Sequence, residues 1–238
     1  MKKQLVKPPA ALKSVLRTLQ SQGSRANVEG MARFGVSVAK AYGVSPPAII
    51  KLAKQIGHDR RLAQQLWATG VLDARALAVL VDSPEEVTQA QMEKWAKDFD
   101  SWSIVDHCCG KLFDKTPFAY RKAEEWSRRE EEYVKRAAFS LMAALAVHDK
   151  KAPDEKLLKF LPVIRRESTD ERNFVKKAVN WPLRQIGKRN RRLNQAAIKT
   201  ARAIRELDSK SARWIAADAL RELTGDALQR RLRAREVK

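Results

Sequence analysis

Apolar residues recur along this chain at steps of three and four, as in Ile198, Ala201, Ile204 and Leu207, or along the stripe Leu141, Leu145 and His148. That period puts them on one face of a helix. The residues between them are mostly Ala, Lys, Arg, Gln and Glu, which favour helix. No stretch alternates with a period of two, and no Asn-Gly or Asp-Gly turn joins β-branched runs. The pattern therefore predicts an all-α chain. Ser45-Pro46, Ser83-Pro84-Glu85-Glu86, Thr116-Pro117 and Ala152-Pro153-Asp154 have the composition of helix starts. Ser168-Thr169-Asp170-Glu171 is close to a capping box, and Thr224-Gly225-Asp226 separates the last two helices. Short connections predict antiparallel neighbours. The segment 123–133, AEEWSRREEEY, mixes signs and predicts an exposed helix laced with i,i+4 pairs.

Three segments resemble one another: KRAAFSLMAAL (135–145), KKAVNWPLRQIG (176–187) and SARWIAADALREL (211–223). Each sets small and apolar residues on one stripe, and the spacing is that of helical-hairpin repeats of the HEAT type. Stacked pairs of this kind give a curved solenoid with a concave face. Pro182 lies inside the second segment and predicts a kink or an irregular turn. No internal linker or low-complexity stretch interrupts the chain, so residues 1–8 read as a flexible tail and 9–238 as one domain.

With 238 residues, 44% hydrophobic and 32% charged, the chain can bury a real core. No apolar run approaches the ~18 residues of a membrane span, and the basic start lacks the apolar core of a secretory signal. The two cysteines, Cys108 and Cys109, are adjacent and offer no disulfide framework, which suits a reducing cytoplasm. The net charge of +20 changes the picture most. Such a field attracts polyanions, nucleic acid first among them. Between Arg184 and Arg205 there are eight basic residues and no acid: Arg184, Lys188, Arg189, Arg191, Arg192, Lys199, Arg202 and Arg205. A run of one sign reads as a phosphate track.

Gly110-Lys111 is followed by Leu112 and makes no P-loop, and no HExxH or paired-cysteine zinc spacing occurs. His107, Cys108 and Cys109 are consecutive, so on a helix they point in different directions and cannot close a tetrahedral metal site; buried small hydrophobes is the better reading of the cysteines. In SWSIVDHCCG (101–110), Trp102 and Asp106 stand at i and i+4 on an otherwise apolar helix. A carboxylate there needs a partner or a task. It is either a structural hydrogen bonder to a neighbouring helix or part of a cleft. Arg136 opens the apolar run AAFSLMAALAV, either as a snorkelling surface arginine or at a buried edge. Trp181 and Arg184, at i and i+3, share a face of a later helix.

Together these segments resemble the AlkD-like DNA alkylation repair glycosylases. MARFGVSVAKAYGVSPPAIIKLAK (31–54) is similar to the family's first helix pair, and SWSIVDHCCG carries its Trp-x-x-x-Asp element. VKRAAFSLMAAL (134–145) carries the arginine, and NFVKKAVNWPLRQIGK (173–188) the second tryptophan with its following arginine. The resemblance covers most of residues 30–215. It implies a right-handed superhelical solenoid of HEAT-like antiparallel helix pairs with a concave basic face. It also implies a monofunctional DNA glycosylase of base excision repair, removing cationic N3- or N7-alkylated purines from double-stranded DNA. Asp106, Trp102 and Trp181 would be catalytic; Arg136, Arg184, Lys188, Arg189, Arg191 and Arg192 would hold DNA, Arg136 by a bidentate phosphate contact and, where it lies close, by keeping Asp106 ionised. No metal or other cofactor and no membrane is called for, and a cytoplasmic monomer at the nucleoid is expected. The alternative is a non-catalytic helical-repeat scaffold or DNA-structure sensor, in which Asp106 is a structural hydrogen bonder.

Overall fold

The computed structural model describes residues 12–236, the side chains of the last two excepted. The tail expected at residues 1–8 lies outside the described residues. All regular structure among those described is helical, as the periodicity predicts. The chain divides into two compact units, one ending at Trp95 and the other starting at Ala96. No loop separates them in sequence: the division falls inside α6 (Gln89–Lys97).

The first unit contains α1 (Leu12–Ser21), α2 (Arg25–Arg33), α3 (Pro46–Ile56), α4 (Arg60–Ala68) and α5 (Leu72–Val81). Here α5 is central and packs on α1, α3 and α4. Residues 34–45 form no helix, so the segment 31–54 holds the end of α2, a loop and α3 rather than a helix pair. Two backbone N–H groups of that loop, from Tyr42 and Val44, donate to Asp73 in the first turn of α5 at 2.6 and 2.7 Å. The loop can pass this close to α2 only through Gly43, at φ +78°: a β-carbon there would meet the Ser24 carbonyl oxygen at 2.3 Å. Trp67 and Trp95 stack with centroids 3.9 Å apart inside this unit.

The second unit holds α7 (Trp102–Lys111), a 3-10 turn (Phe113–Lys115), α8 (Ala119–Trp126), α9 (Glu132–His148), α10 (Asp154–Leu158), α11 (Phe160–Glu167), α12 (Asn173–Gly187), α13 (Arg191–Arg205), α14 (Lys210–Leu223) and α15 (Asp226–Glu236). The three similar segments fall on α9, α12 and α14. These pack in that order, α12 against both others, and α7 also packs on α9. Behind them α8 packs on α9, α11 on α12, and α13 on both α12 and α14, which is the pairing of a helical-hairpin repeat. Almost all of α9 is buried, from Val134 to Ala146. Its small residues let neighbours approach on every side; truncating Phe139 or Leu141 to Ala should cost about 3–5 kcal/mol. At the junction of α12, α13 and α14, Gly187 has no room for a β-carbon, which would meet Leu223 at 2.5 Å.

Several local expectations change. Ser83–Glu86 is a turn, closed by the Glu86 N–H to the Ser83 carbonyl at 3.0 Å, and the next helix starts only at Gln89. Ser168 ends α11 rather than starting α12: its hydroxyl turns back to the Arg165 carbonyl at 2.7 Å. The 123–133 segment is no single exposed helix. It closes α8, turns, and enters α9, with Ala123 and Trp126 buried. Finally, α12 runs through Pro182 without ending, although the proline supplies no N–H to the Ala178 carbonyl one turn back. Ser45, Ala152-Pro153-Asp154 and Thr224-Gly225-Asp226 do stand at helix boundaries as read.

Candidate functional site

Ser101 caps α7, its hydroxyl accepting the Ser103 N–H at 3.3 Å. This fixes the first turn, which bears Trp102, and the next turn presents Asp106 from the same face. Ile104, Val105, Cys108 and Cys109 hold the opposite side in the core. Both cysteines are fully buried, and the Cys109 thiol donates to the Ala137 carbonyl at 3.5 Å. Burial pushes that thiol well above its ordinary pKa, and the carboxylates of Asp106 and Asp114 push in the same direction. Among the described residues, no three His, Cys, Asp or Glu side chains gather in a way that could hold a metal ion.

Asp106 meets α9. Arg136 grips the carboxylate with two parallel bonds, Nε to Oδ1 at 3.0 Å and Nη2 to Oδ2 at 2.7 Å. One turn further along α9, the Ser140 hydroxyl donates to Oδ1 at 2.6 Å. Three donors suit an ionised carboxylate, which only accepts. The remaining end of the guanidinium, Nη1, donates to the Phe174 carbonyl of α12 at 2.6 Å. Three helices are thereby tied at one arginine. The guanidinium also lies 5.9 Å from the centroid of the Trp102 ring, and Tyr133 packs on Phe174 at 5.9 Å. The Asp106 side chain keeps 20% of its surface accessible, against 8% for that of Arg136. Oδ1 accepts two bonds and Oδ2 one, so Oδ2 has the larger remaining capacity.

Arg136 is therefore not the surface arginine of the snorkelling reading. The bidentate contact expected with phosphate is made to Asp106 instead. Trp181 is half-buried on α12, seven residues beyond Phe174, which is two turns or about 10 Å along the axis. Ser140 escaped the sequence reading. Its one signal is a lone hydroxyl four residues after Arg136 in an apolar run.

The basic stretch also looks different in three dimensions. Arg184 and Lys188 meet Glu222 of α14 at 2.9 and 2.8 Å, and Arg192 meets Glu155 of α10 at 2.7 Å. Arg189 donates to the carbonyls of Ala146, Asp149, Lys150 and Ala152, closing the C-terminal end of α9. Arg191 opens α13, exposed. Other helices thus supply acids to Arg184, Lys188 and Arg192, three of the eight cations between residues 184 and 205. Charge is lowered here: burial raises the Glu222 pKa, but Lys188 and Arg184 together hold it below its ordinary value.

No curated protein matches the chain. A solved structure described as belonging to a new family of proteins related to the HEAT-like repeat DNA glycosylases, with affinity for branched DNA structures, is similar in fold. Its TM-score is 0.75 at 19% identity, over 90% of this chain and 96% of that one. A designed armadillo repeat protein in complex with a (KR)4 peptide covers 94% of this chain and 80% of its own, at 14% identity and a TM-score of 0.33, and carries no argument. Residues 15–223, which include every element of the Asp106 site, match the family model described as DNA alkylation repair enzyme, and the chain belongs to that family.

Proposed function

We propose that this protein is a DNA glycosylase that hydrolyses the N-glycosidic bond of cationic N3- or N7-alkylated purines in duplex DNA. The observation that carries the reading is a carboxylate fixed by Arg136 and Ser140 yet left accessible, one helical turn from Trp102. An alkylated purine already bears positive charge and leaves as a neutral base, so a strong general acid is not needed. Charge grows instead on the deoxyribose, the same problem that carboxylates solve in glycoside hydrolysis. A carboxylate held rigid by charge-assisted bonds stabilises that charge without reorganising. The C1′–N bond breaks with its electron pair passing to the purine, and a water oxygen bonds to C1′. Oδ2 accepts the water's proton on its way to solvent. Trp102 and Trp181 present π faces to the cationic sugar, worth about 1–2 kcal/mol each when desolvated. Lys188, Arg184, Arg189, Arg191 and Arg192 form the basic side of the DNA path, those with acidic partners exchanging them for phosphates.

A second reading is a DNA-structure binder that does not excise. Two observations favour it: Arg136 is committed to Asp106 and Phe174, and the fold is similar to that of a family with affinity for branched DNA. One experiment separates the two. Release of 7-methylguanine and 3-methyladenine from methylated duplex is measured for wild type and Asp106→Asn, beside binding to linear duplex and to a four-way junction. Release by wild type alone supports the glycosylase. No release by either, with tight junction binding, leaves the structural binder.

A further inference from the structure

Aligning the neighbouring helices α9, α12 and α14 on their buried small residues brings KRAAFS (135–140), KKAVNW (176–181) and SKSARW (209–214) into register. In each, positions three and four are buried: Ala137-Ala138, Ala178-Val179 and Ser211-Ala212. Position two is a cation every time, Arg136, then Lys177, then Lys210. Position six changes. Ser140 is buried against Asp106, Trp181 is half-buried, and Trp214 is 40% exposed. The pairs that join α12 and α14, Asn180 with Asp218, Arg184 with Glu222 and Lys176 with Trp214, set Trp214 level with Lys176, more than a turn before Trp181.

The six tryptophans divide on the same line. Trp67, Trp95 and Trp126 are in the core, whereas Trp102, Trp181 and Trp214 stand on α7, α12 and α14 with accessible surface. Lys176 of α12 holds its ammonium 5.3 Å from the centre of the Trp214 ring. By helical spacing, Lys210, Trp214 and Arg221 share one face of α14, as Lys177, Trp181 and Lys188 share one face of α12. Cations around a surface indole suit a stacking platform beside phosphates.

We infer that Trp214, with Lys176 and Lys210, is a second nucleotide-contacting position, taking a sugar-phosphate unit of the DNA strand on the helix next to that of Trp181. It deepens the proposed DNA reading in binding and has no part in bond cleavage. The test is binding of undamaged linear duplex by fluorescence anisotropy across a salt series, with excision read separately. Trp214→Ala should weaken binding about five- to thirtyfold, Trp214→Phe no more than about twofold. Excision at saturating protein should not change for either. Equal binding by Trp214→Ala and wild type, with wild type binding well, overturns this inference and leaves the glycosylase reading standing. Binding by wild type without excision overturns the glycosylase reading alone. No binding by wild type overturns both and points to a protein partner for this face. Should Trp214→Ala melt early, Lys210→Gln at the first position of α14 replaces it. Its slope of log Kd against log salt should fall by about one, and an unchanged slope counts against the site.

Discussion

Asp82 in the first unit and Asp106 in the second each collect several hydrogen bonds, and neither collection is much richer than the other. Asp82 receives the amides of Gln91 at 2.5 Å and Gln64 at 3.3 Å and the Ser83 N–H at 2.9 Å, with Arg60 standing off at 3.8 Å. Asp106 receives a two-pronged arginine and a serine. The difference lies in charge and access. The Asp82 side chain has no accessible surface and mostly neutral donors; Asp106 has a full counter-charge and an open fifth of its surface. Burial accordingly pushes the Asp82 pKa above its ordinary 3.8, despite Gln91, Ser83 and Arg60 pulling it down. A dense hydrogen-bond shell therefore marks a brace as readily as a site. A charged partner together with a solvent-facing edge is what singles out the candidate.

The comparison is broken most forcefully at the two carboxylates themselves. Asp106→Asn should slow excision of 7-methylguanine by about a hundredfold or more, with duplex binding nearly unchanged. Asp82→Asn should leave the single-turnover rate within about twofold and lower the thermal midpoint, since its amide would face other donors. Equal losses of activity from both would reduce Asp106 to a brace. Next in size, Arg136→Ala strands a half-buried carboxylate and unties α12; chemical denaturation should show a loss of about 3–5 kcal/mol. A loss below about 1 kcal/mol would mean the pair contributes no more than a surface salt bridge. Ser140→Ala removes one charge-assisted bond to Oδ1, and a stability change of about 1–2 kcal/mol is expected, with excision slowed more than binding.

The smallest effect sharpens the contrast through pH. A carboxyl whose pKa is raised on folding favours the folded state while protonated, and that contribution is lost as pH rises through the raised value. Asp82 is such a group. Asp170 has the opposite sign. Burial raises it, but the combined bonds and charge of Arg172, with Lys135, hold it below its ordinary value. Its contribution is present above the ordinary carboxylate pKa and lost as pH falls through the lowered one. The stability difference between wild type and Asp82→Asn should therefore shrink as pH rises from the ordinary aspartate range through the raised value, while that between wild type and Asp170→Asn should grow as pH rises through the lowered value to the ordinary range and then level off. Melts across the acidic range read both signs.

Much of this was legible in the sequence because helical periodicity is local. The i,i+4 step alone puts Trp102 and Asp106 on one face, and the three similar segments lie on α9, α12 and α14, which pack side by side. Arg136 was found, with pairing to Asp106 left conditional on the two lying close. A sequence does not say which distant carboxylate a cation will meet, and α7 is thirty residues away from it. The same blindness made residues 184–205 look purely positive, because Glu222 and Glu155 come from other helices. Ser83 and Ser168 failed for a different reason. A serine hydroxyl can donate to a carbonyl at a helix end, as Ser168 does, as readily as accept an N–H at a start, and only the fold decides which.

The two sulfur atoms buried under Asp106 have a consequence for survival in the chemistry this family works against. Electrophiles that alkylate purine nitrogens also alkylate thiolates. Cys108 and Cys109 are the chain's only cysteines, both lie wholly in the core, and Cys109 is held firmly in its unreactive thiol form. Folded, the protein offers such agents no accessible cysteine thiol. Its modification by a thiol reagent is then limited by how often α7 opens, so labelling becomes a clock for the stability of the helix that carries the carboxylate.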